Sequence, residues 1–378
     1  RDRVLLREYV GASWTDGGLL YQSDWFNGSL NGGETSDWFG ASLAVGDFND
    51  DGFEDLAVGV PYEDLGDDSD AGMVHVYLGG PAGLGVPASQ SFAAGLEGML
   101  GDPADFDDLG FSLAAGDFNG DHYDDLAIGV PYRDSGGVFN AGELHVLRGS
   151  AAGLTTTGQQ LVRASDYNVS SSAGMFAYAL AAANFDQNPL LCAATGQACC
   201  DELAIGVPGR DVVYFSGGTW HVADQAGIVI AASGGGGGVS TTSFELLSQV
   251  SGLGHPEDGD FFGFALAAGA ANRATVMIAE YADLVIGAPT EDVTTSNDGY
   301  VHVVFGSSYG IGQDPGQPEQ AFNLRTGFYF GPASAEDRFG GVLALGDLDG
   351  DGWGDLAAGI PLKDYAGYTD TGGVLVLY

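Results

Sequence analysis

Basic residues are scarce in this 378-residue chain, and their scarcity excludes two kinds of partner. Eleven Lys and Arg stand against 52 Asp and Glu, which gives a formal net charge of −41. Nucleic-acid binding depends on basic patches that neutralise phosphates, so we expect no nucleic-acid partner. No run approaches the ~18 continuous apolar residues that a membrane helix needs, so we also expect no direct membrane insertion.

Cysteine is equally rare. The three cysteines are Cys192, Cys199 and Cys200, and all lie within nine residues, which is not the pattern of a disulfide scaffold. One local bridge is available, from Cys192 to Cys199 or to Cys200, because a bond between the two adjacent cysteines would be strained. A metal cluster is the weaker interpretation, since no His or further Cys lies nearby.

Amphipathic helical patterns are also lacking, whereas strand and turn signals are abundant. The hydrophobic fraction of 45 % is that of a globular core and is too high for a disordered acidic chain. Short apolar or alternating runs are separated by Gly, Pro, Asn and Asp, which predict strands and turns. We therefore predict an all-β fold.

A motif of about seventy residues occurs five times along the chain. Each copy opens with Phe-Gly or a close variant and leads through an alternating segment to a run such as Leu-Ala-Val-Gly-Val-Pro. The five repeats start near residues 37, 107, 174, 260 and 337. Each repeat is predicted to contain four short strands, and four-stranded units arranged around a ring make a β-propeller.

The two ends of the chain suggest how the ring closes. Repeat five stops at Tyr378, after its third strand, while residues 1–36 precede repeat one. The segment around 19–26 stands where other repeats have a fourth strand, so we predict that it closes the last blade and removes open sheet edges. Residues 1–378 would then form one propeller of five blades, with six or seven blades as the alternative.

Three repeats carry an acidic loop between their first and second strands. Oxygen-bearing side chains occupy loop positions 1, 3, 5 and 9, and position 7 offers a backbone carbonyl. Calcium takes six to eight hard oxygen ligands, and ordinary Asp and Asn turns do not explain the same positions in three loops. The predicted ligands of about three calcium sites are Asp47, Asn49, Asp51, Phe53, Asp55, Asp117, Asn119, Asp121, Tyr123, Asp125, Asp347, Asp349, Asp351, Trp353 and Asp355. Position 6 of the second loop is His122, which would be strained if its φ were positive.

Repeats three and four depart from this pattern. Repeat three has Asn184, Asp186 and Asn188, and Glu202 follows after an insertion that carries the cysteines. It either binds a cation weakly or replaces the metal with a disulfide-bridged loop. Repeat four keeps only Asp283, so we expect no calcium there.

The repeat resembles a known family. The Phe39-Gly40 start, the acidic loop at 47–55 and the Gly59-Val60-Pro61 end are similar to the FG-GAP repeats of the integrin α-subunit β-propeller and its bacterial relatives. The resemblance covers nearly all of 37–378. It implies a propeller with calcium in the strand 1–2 loops of one face, ligand contacts on the opposite face, and an extracellular location, secreted or at the cell surface. Integrin propellers have seven repeats, whereas five are visible here.

The loops after the Pro of each repeat differ from one another and carry aromatic residues. Varied loops on a rigid scaffold are where binding usually resides. The candidate residues of a ligand face are Tyr62, Tyr132, Arg210, Tyr214, Trp220 and Tyr365. An Asp recurs three residues after every Pro, and this five-fold recurrence favours a structural turn over a ligand site.

We therefore expect a monomeric, calcium-binding extracellular propeller that acts as an adhesion or protein-interaction module, with a protein or glycan as its ligand. A carbohydrate-binding propeller is the alternative, and a propeller-based lyase or hydrolase is the third reading. No Ser-His-Asp, Cys-His or paired-carboxylate arrangement stands out, so no catalytic residue is assigned. The recurrent His75, His145 and His302 are expected to be strand residues rather than ligands of one metal.

Overall fold

The fold is taken from a computed structural model. It describes residues 3–10, 13–21, 36–85, 88–169, 174–186, 200–251, 255–269, 281–292, 296–313, 319–324, 335–351, 354–364 and 368–378, with the side chains of 3–19 and 21 left out. The chain divides into two compact units. The N-terminal unit contains Arg1–Asp117 and His122–Arg163, and the C-terminal unit contains Phe118–Asp121 and Ala164–Tyr378.

The N-terminal unit holds a β-hairpin and the antiparallel sheets of repeats one and two. The strands of the hairpin are β1 (Arg3–Val10) and β2 (Ser13–Tyr21). In repeat one the strand order is β3 (Leu43–Gly46), β4 (Asp55–Val60), β5 (Met73–Tyr77) and β6 (Gln90–Phe92). In repeat two it is β7 (Ser112–Gly116), β8 (Asp125–Val130), β9 (Glu143–Arg148) and β10 (Thr155–Val162).

The C-terminal unit holds the sheets of the other three repeats. Repeat three contains β11 (Leu180–Ala183), β12 (Glu202–Val207), β15 (Ile228–Ala232) and β16 (Phe244–Leu247), and its separate hairpin contains β13 (Val212–Ser216) and β14 (Thr219–Ala223). Repeat four contains β17 (Ala265–Gly269), β18 (Asp283–Ala288), β19 (Tyr300–Val304) and β20 (Gln320–Phe322). Repeat five contains β21 (Leu343–Gly346), β22 (Asp355–Ile360) and β23 (Gly373–Leu377).

These sheets confirm the predicted all-β class and the predicted four strands per repeat. Each sheet is an antiparallel meander whose strands pair in chain order. Among the described residues the only helical segments are short 3-10 turns at Ala164–Tyr167 and Gln249–Ser251. None of the described helical segments has the length and hydropathy of a membrane crossing.

The cores lie between consecutive sheets. In the N-terminal unit, Val74 and Val76 of β5 share a buried cluster with Leu126 and Ile128 of β8. The C-terminal unit repeats this packing between repeats three and four and again between repeats four and five. The first strands of neighbouring sheets also touch, β3 with β7, β11 with β17, and β17 with β21. This face-to-face stacking is the packing of propeller blades.

A glycine in the second strand allows this stacking. A Cβ on Gly59 would lie 2.1 Å from the carbonyl oxygen of Gly110, which belongs to the Phe-Gly turn of the next repeat. The same clash would occur at 2.2 Å between Gly206 and Gly263 and at 2.1 Å between Gly287 and Gly340. The two halves of the sequence motif therefore recur together because they touch between consecutive repeats.

The Phe-Gly turn has its own backbone requirement. Its Gly has a φ near +88° in repeats one, two, four and five, at Gly40 (88), Gly110 (87), Gly263 (89) and Gly340 (87). Repeat three has the fully buried Ala177 at this place, with a φ of 64°. A left-handed backbone is unfavourable for a residue that carries a Cβ, so repeat three is strained here.

The recurrent Asp after each Pro is a turn cap, as predicted. Its Oδ1 accepts a hydrogen bond from the backbone N–H of a residue in the left-handed region. The pairs are Asp64 with Asp70 (2.9 Å), Asp134 with Asn140 (3.0 Å), Asp211 with Gln225 (3.0 Å), Asp292 with Asn297 (2.7 Å) and Asp364 with Asp370 (3.0 Å). The positive φ of the five donors lies between 49° and 56°.

The three recurrent histidines are buried strand residues, also as predicted. Burial lowers the pKa of His75 and His302 to about 3, and that of His145 to about 4. All three imidazoles are therefore neutral at physiological pH. His75 lies in β5, His145 in β9 and His302 in β19, so each belongs to a different sheet.

The N-terminal segment forms a hairpin that the sequence did not predict, since Leu19–Tyr21 pair with Arg3–Leu5. That residues 19–26 close the last blade stays a prediction. Leu20 is buried in a cluster of the N-terminal unit with Phe39 and Tyr77. Residues 22–26 lie outside the described residues, and within them the sheet of repeat five has three strands.

We predict that Ala177→Gly stabilises the protein. Glycine relieves the left-handed strain, and this gain exceeds the extra backbone entropy of glycine in the unfolded chain, leaving about 1 kcal/mol. Chemical denaturation measures the change. The reverse substitution Gly110→Ala is the matched control and should destabilise, because its Cβ would lie 2.8 Å from the carbonyl oxygen of Met73. A less stable Ala177→Gly variant would contradict the assignment of strain.

Candidate metal centres

The acidic loop of repeat one winds around the carboxylate of Asp47. This carboxylate accepts hydrogen bonds from the backbone N–H of Asp51 at 3.1 Å and of Gly52 at 2.8 Å. Asn49 Oδ1 accepts from Asp51 N–H at 3.0 Å, and Asp51 Oδ1 accepts from Phe53 N–H at 3.0 Å. The alternate oxygens at positions 1, 3 and 5 are thus held in one tight loop, as the spacing predicted.

Repeat five shows the same winding and brings three carboxylates together. Asp347 Oδ1 accepts from the backbone N–H of Gly350 at 2.7 Å and of Asp351 at 3.1 Å. One carboxylate oxygen each of Asp347, Asp349 and Asp355 lies within 4.8 Å of the others. These are positions 1, 3 and 9 of the predicted ligand set, and hard anionic oxygens at this separation suit calcium. Trp353 lies outside the described residues.

The acid at position 9 has a second, structural duty that the sequence did not reveal. Asp55 is fully buried, and its carboxylate accepts from Phe48 N–H at 3.0 Å and from Gly79 N–H at 2.7 Å. It thereby ties the loop to the residue that follows the third strand of its sheet. The equivalent bonds are Asp125 with Gly149 (3.0 Å), Asp283 with Gly306 (3.1 Å) and Asp355 with Leu348 (2.7 Å). Asp283 therefore has a structural role in repeat four, as the acceptor for Gly306 N–H, although the other predicted ligand positions of that loop carry no acid.

Negative charge is concentrated around these loops. Burial raises the pKa of Asp55, the charges of Asp47 and Asp51 raise it further, and the two backbone hydrogen bonds oppose the rise. Asp124 behaves similarly, because burial and then the charges of Glu54, Asp117 and Asp47 raise its pKa against one backbone hydrogen bond from Asp47. A bound divalent cation would relieve this repulsion.

In repeat two, Asp117 accepts a hydrogen bond from the backbone N–H of His122 at 2.9 Å. The φ of His122 is 79°, so position 6 carries the strain that a positive φ imposes on a residue with a Cβ. Among the other predicted ligands, Asn119 is buried, Tyr123 is half-buried and Asp121 is exposed.

Repeat three holds two acids at the corresponding place, the buried Glu202 and the half-buried Asp186. Glu202 accepts from Phe185 N–H at 2.6 Å, and burial followed by the charge of Asp186 raises the pKa of Glu202 to about 8. Asn188, Cys192 and Cys199 lie outside the described residues, so the weak cation site and the disulfide both stay predictions. Most of the loop of repeat four, residues 270–280, lies outside them as well.

The predicted ligand-face residues divide into packed and exposed ones. The Tyr62 ring lies 4.6 Å from that of Trp38, and the Tyr132 ring lies 5.5 Å from that of Phe111 in an edge-to-face contact. These two tyrosines therefore support the loops that carry them. Tyr365 lies outside the described residues.

The longest of the varied loops, in repeat three, folds into the β13–β14 hairpin. Tyr214 stacks on His221 at 5.2 Å, whereas Trp220 is 72 % exposed and Arg210, before the hairpin, is half-buried. The hairpin follows the end of β12, while Glu202 begins that strand. The acidic-loop position and the hairpin thus lie at opposite ends of one strand, roughly 20 Å apart at 3.3 Å per residue. The dipeptide Gly217-Gly218 between two strand-like runs is a hairpin signal, and the sequence analysis did not use it.

A second pair of interacting residues lies near the strand ends that carry the Pro. The residue types of this pair differ between repeats. In repeat five Lys363 Nζ donates to Asp337 Oδ2 at 2.8 Å, and in repeat two Arg133 pairs with Asp107 at 2.5 Å. Repeat four instead pairs Glu291 with Asp260, and the Gln249 amide donates to Glu291. Burial is the main cause that raises the pKa of both carboxyls. The charge of Asp260 raises the pKa of Glu291 further, whereas the hydrogen bond from Glu291 lowers the pKa of Asp260.

This acid pair predicts that stability falls as pH rises. The folded pair keeps protons above the ordinary carboxyl values of 3.8 and 4.5, while the unfolded chain has lost them, so unfolding releases protons and becomes easier at higher pH. Glu291→Gln should flatten the decrease in melting temperature between about pH 5 and pH 8, measured in saturating calcium.

Asp67→Asn, at an exposed position, is the control and should leave the pH profile as in the parent. Parallel profiles for the Glu291→Gln variant and the parent would mean that the pair is not the proton-binding group.

Comparison with known proteins finds a family model in the same repeats that carry the complete acidic loop. A family model described as FG-GAP repeat matches residues 39–77, 109–147 and 339–377. These segments belong to repeats one, two and five, the three that carry the complete acidic loop. No curated protein matches the chain. Among solved structures, the crystal structure of the Saccharomyces cerevisiae Sqt1 is similar at 10 % identity over 91 % of this chain and 86 % of that chain. Its TM-score of 0.36 is too low to support a conclusion.

Proposed function

This chain carries three FG-GAP repeats, and we propose that it is a calcium-binding extracellular β-propeller that acts as an adhesion or protein-interaction module. The observation that carries the proposal is the convergence of Asp347, Asp349 and Asp355 inside one of the matched repeats. Calcium sites of extracellular modules work at roughly 10⁻⁴–10⁻³ M. Exposed acidic loops of this kind suit that range.

We propose one ring of five blades, with six or seven as the alternative. The apolar first strand supports a ring. Leu113 of β7 is buried against the preceding sheet, whereas Leu43 of β3, at the same motif position, is 48 % exposed, and Val45 is 58 % exposed. A closed ring supplies each blade with a neighbour that covers this strand.

Calcium would act as a structural cross-link. Positions 1, 3 and 5 belong to the loop, while position 9 begins the second strand, so one cation joins the loop to the sheet. It would supply positive charge where burial and neighbouring carboxylates raise the pKa of Asp55. Repeats one, two and five would hold the three strong sites, and repeat three a weaker one.

We propose binding rather than catalysis as the activity of the opposite strand ends, with a protein ligand and a monomeric chain. A carbohydrate ligand is the second candidate, because aromatic rings such as the exposed Trp220 can stack on sugars. A propeller-based lyase or hydrolase is the third. Binding on a glycan array would favour the second candidate over the first.

Removing calcium should destabilise the protein. A ligand that binds only the native state stabilises it by about 2.7 kcal/mol per site at a hundredfold excess over Kd. Chelation should therefore lower the melting temperature, and three bound cations would change the formal charge from −41 to −35. Sodium chloride is the control, since it screens surface charge without filling a cage of oxygens. Equal rescue by sodium chloride and by millimolar calcium would overturn the calcium assignment.

Single substitutions should separate ligands from structural acids. Asp51→Ala, Asp121→Ala and Asp351→Ala should each remove about one calcium from the count, measured by isothermal titration with metal analysis. Asp283→Ala is the matched control: it should leave the count unchanged but lower the melting temperature with or without calcium, because Gly306 N–H loses its acceptor. A reduced calcium count in Asp283→Ala would contradict this division.

A further inference from the structure

One face of the β13–β14 hairpin is wholly apolar and exposed. In the register of the hairpin Val213 pairs with Val222 and Phe215 with Trp220, so these four side chains share one face. Their exposed fractions are 60 %, 58 %, 59 % and 72 %. The Phe215 and Trp220 rings meet edge to face at 5.3 Å. We call these four residues the hairpin face.

The hairpin is anchored at its base. The pair Val212 and Ala223 is buried, at 7 % and 2 % exposure. Below it, Gly227 N–H donates to the Arg210 carbonyl at 2.8 Å, and Asp211 caps the Gln225 N–H. These contacts hold the hairpin face in a fixed direction, so a ligand meets a surface that is already organised.

The hairpin carries no acidic side chain, whereas carboxylates lie at its base. Residues 212–223 contain no Asp, Glu, Lys or Arg, in a chain that has 52 acidic residues in 378. At the base of the hairpin lie the exposed carboxylates of Asp224 and Asp258, joined by a 2.9 Å bond from Asp224 N–H to Asp258 Oδ1, with the exposed Glu257 beside them. An apolar centre with an acidic rim is the pattern of a protein-binding site.

The charge of the chain and the side chains of the hairpin face favour one kind of ligand over the others. A second copy of a chain with net charge −41, or an anionic membrane, would be repelled. The hairpin tip is also polar, from Ser216 to Thr219, which suits neither a membrane nor an apolar crevice. A sugar needs hydrogen-bonding partners beside a stacking ring, and Val213 and Val222 offer none from their side chains. An apolar protein segment flanked by Lys and Arg complements both the hairpin face and its rim.

We propose that the hairpin face is the docking site of a partner protein segment whose apolar side chains are flanked by basic residues. This deepens the proposed function, since it names the partner chemistry at the strand ends opposite the calcium loops. Phe215 and Trp220 are the anchors, because aromatic residues at the centre of an interface carry most of the binding energy.

A displayed library of random dodecapeptides, selected on the full chain in calcium, tests the proposal. We expect enrichment of sequences with an apolar core and flanking Lys or Arg. One enriched peptide, synthesised with a fluorescent label, should lose at least tenfold in affinity for the double variant Phe215→Ser/Trp220→Ser. Affinity for the parent should also fall with added salt, because the rim contributes charge. Phe139→Ser, at a residue 76 % exposed in repeat two, is the matched control and should bind as the parent does.

Several results would overturn the proposal: no enrichment, enrichment of acidic or polar sequences, or equal binding to parent and double variant. Vesicle binding or self-association that the double variant abolishes would replace the partner segment with a membrane or a second copy. Circular dichroism and the melting temperature show that the double variant is folded. The calcium count is measured separately, so failure of the calcium assignment and failure of the hairpin face are distinguishable.

Discussion

The fold depends on one close approach, between the glycine near the end of the second strand and the carbonyl of the Phe-Gly turn in the next repeat. The Gly59 backbone comes so near to Gly110 O that any side chain would clash, and Ser42 Oγ also donates to that oxygen at 2.6 Å. This distance sets how closely the apolar faces of the paired sheets meet. All six residues of β4, β12 and β18, the strands that carry Gly59, Gly206 and Gly287, are buried.

The position-9 acid joins the candidate metal loop to this framework. Because Asp55 and its equivalents accept backbone hydrogen bonds across the sheet, a repeat can lose its other calcium ligands and still need this carboxylate. Repeat four illustrates the separation, with Asp283 bound to Gly306. The same short strand keeps the acidic loops at one end and the variable loops at the other. A cation bound in an acidic loop would therefore stiffen the scaffold without occupying the hairpin face.

Electrostatics shape both ends of the strands. The acidic loops concentrate carboxylates whose repulsion a cation relieves, and the pair of Glu291 and Asp260 concentrates two more that a proton relieves. Other repeats place a cationic side chain at the same point, Lys363 or Arg133. Protons and ion pairs thus relieve local repulsion in this strongly acidic chain, and a bound cation in the acidic loops would be a third way.

The sequence by itself determined the all-β class, the five repeats, the four-stranded sheets of repeats one to four and the winding of the acidic loops. These follow from local rules: strand alternation, turn chemistry and the spacing of oxygen ligands act within a few residues. Only the tertiary structure decided the rest. It gave Asp55 and Asp283 their hydrogen bonds to Gly79 and Gly306, and it exposed Trp220 while packing Tyr62 on Trp38. Those outcomes depend on which distant backbone groups and side chains meet, and no local pattern in the chain encodes that choice.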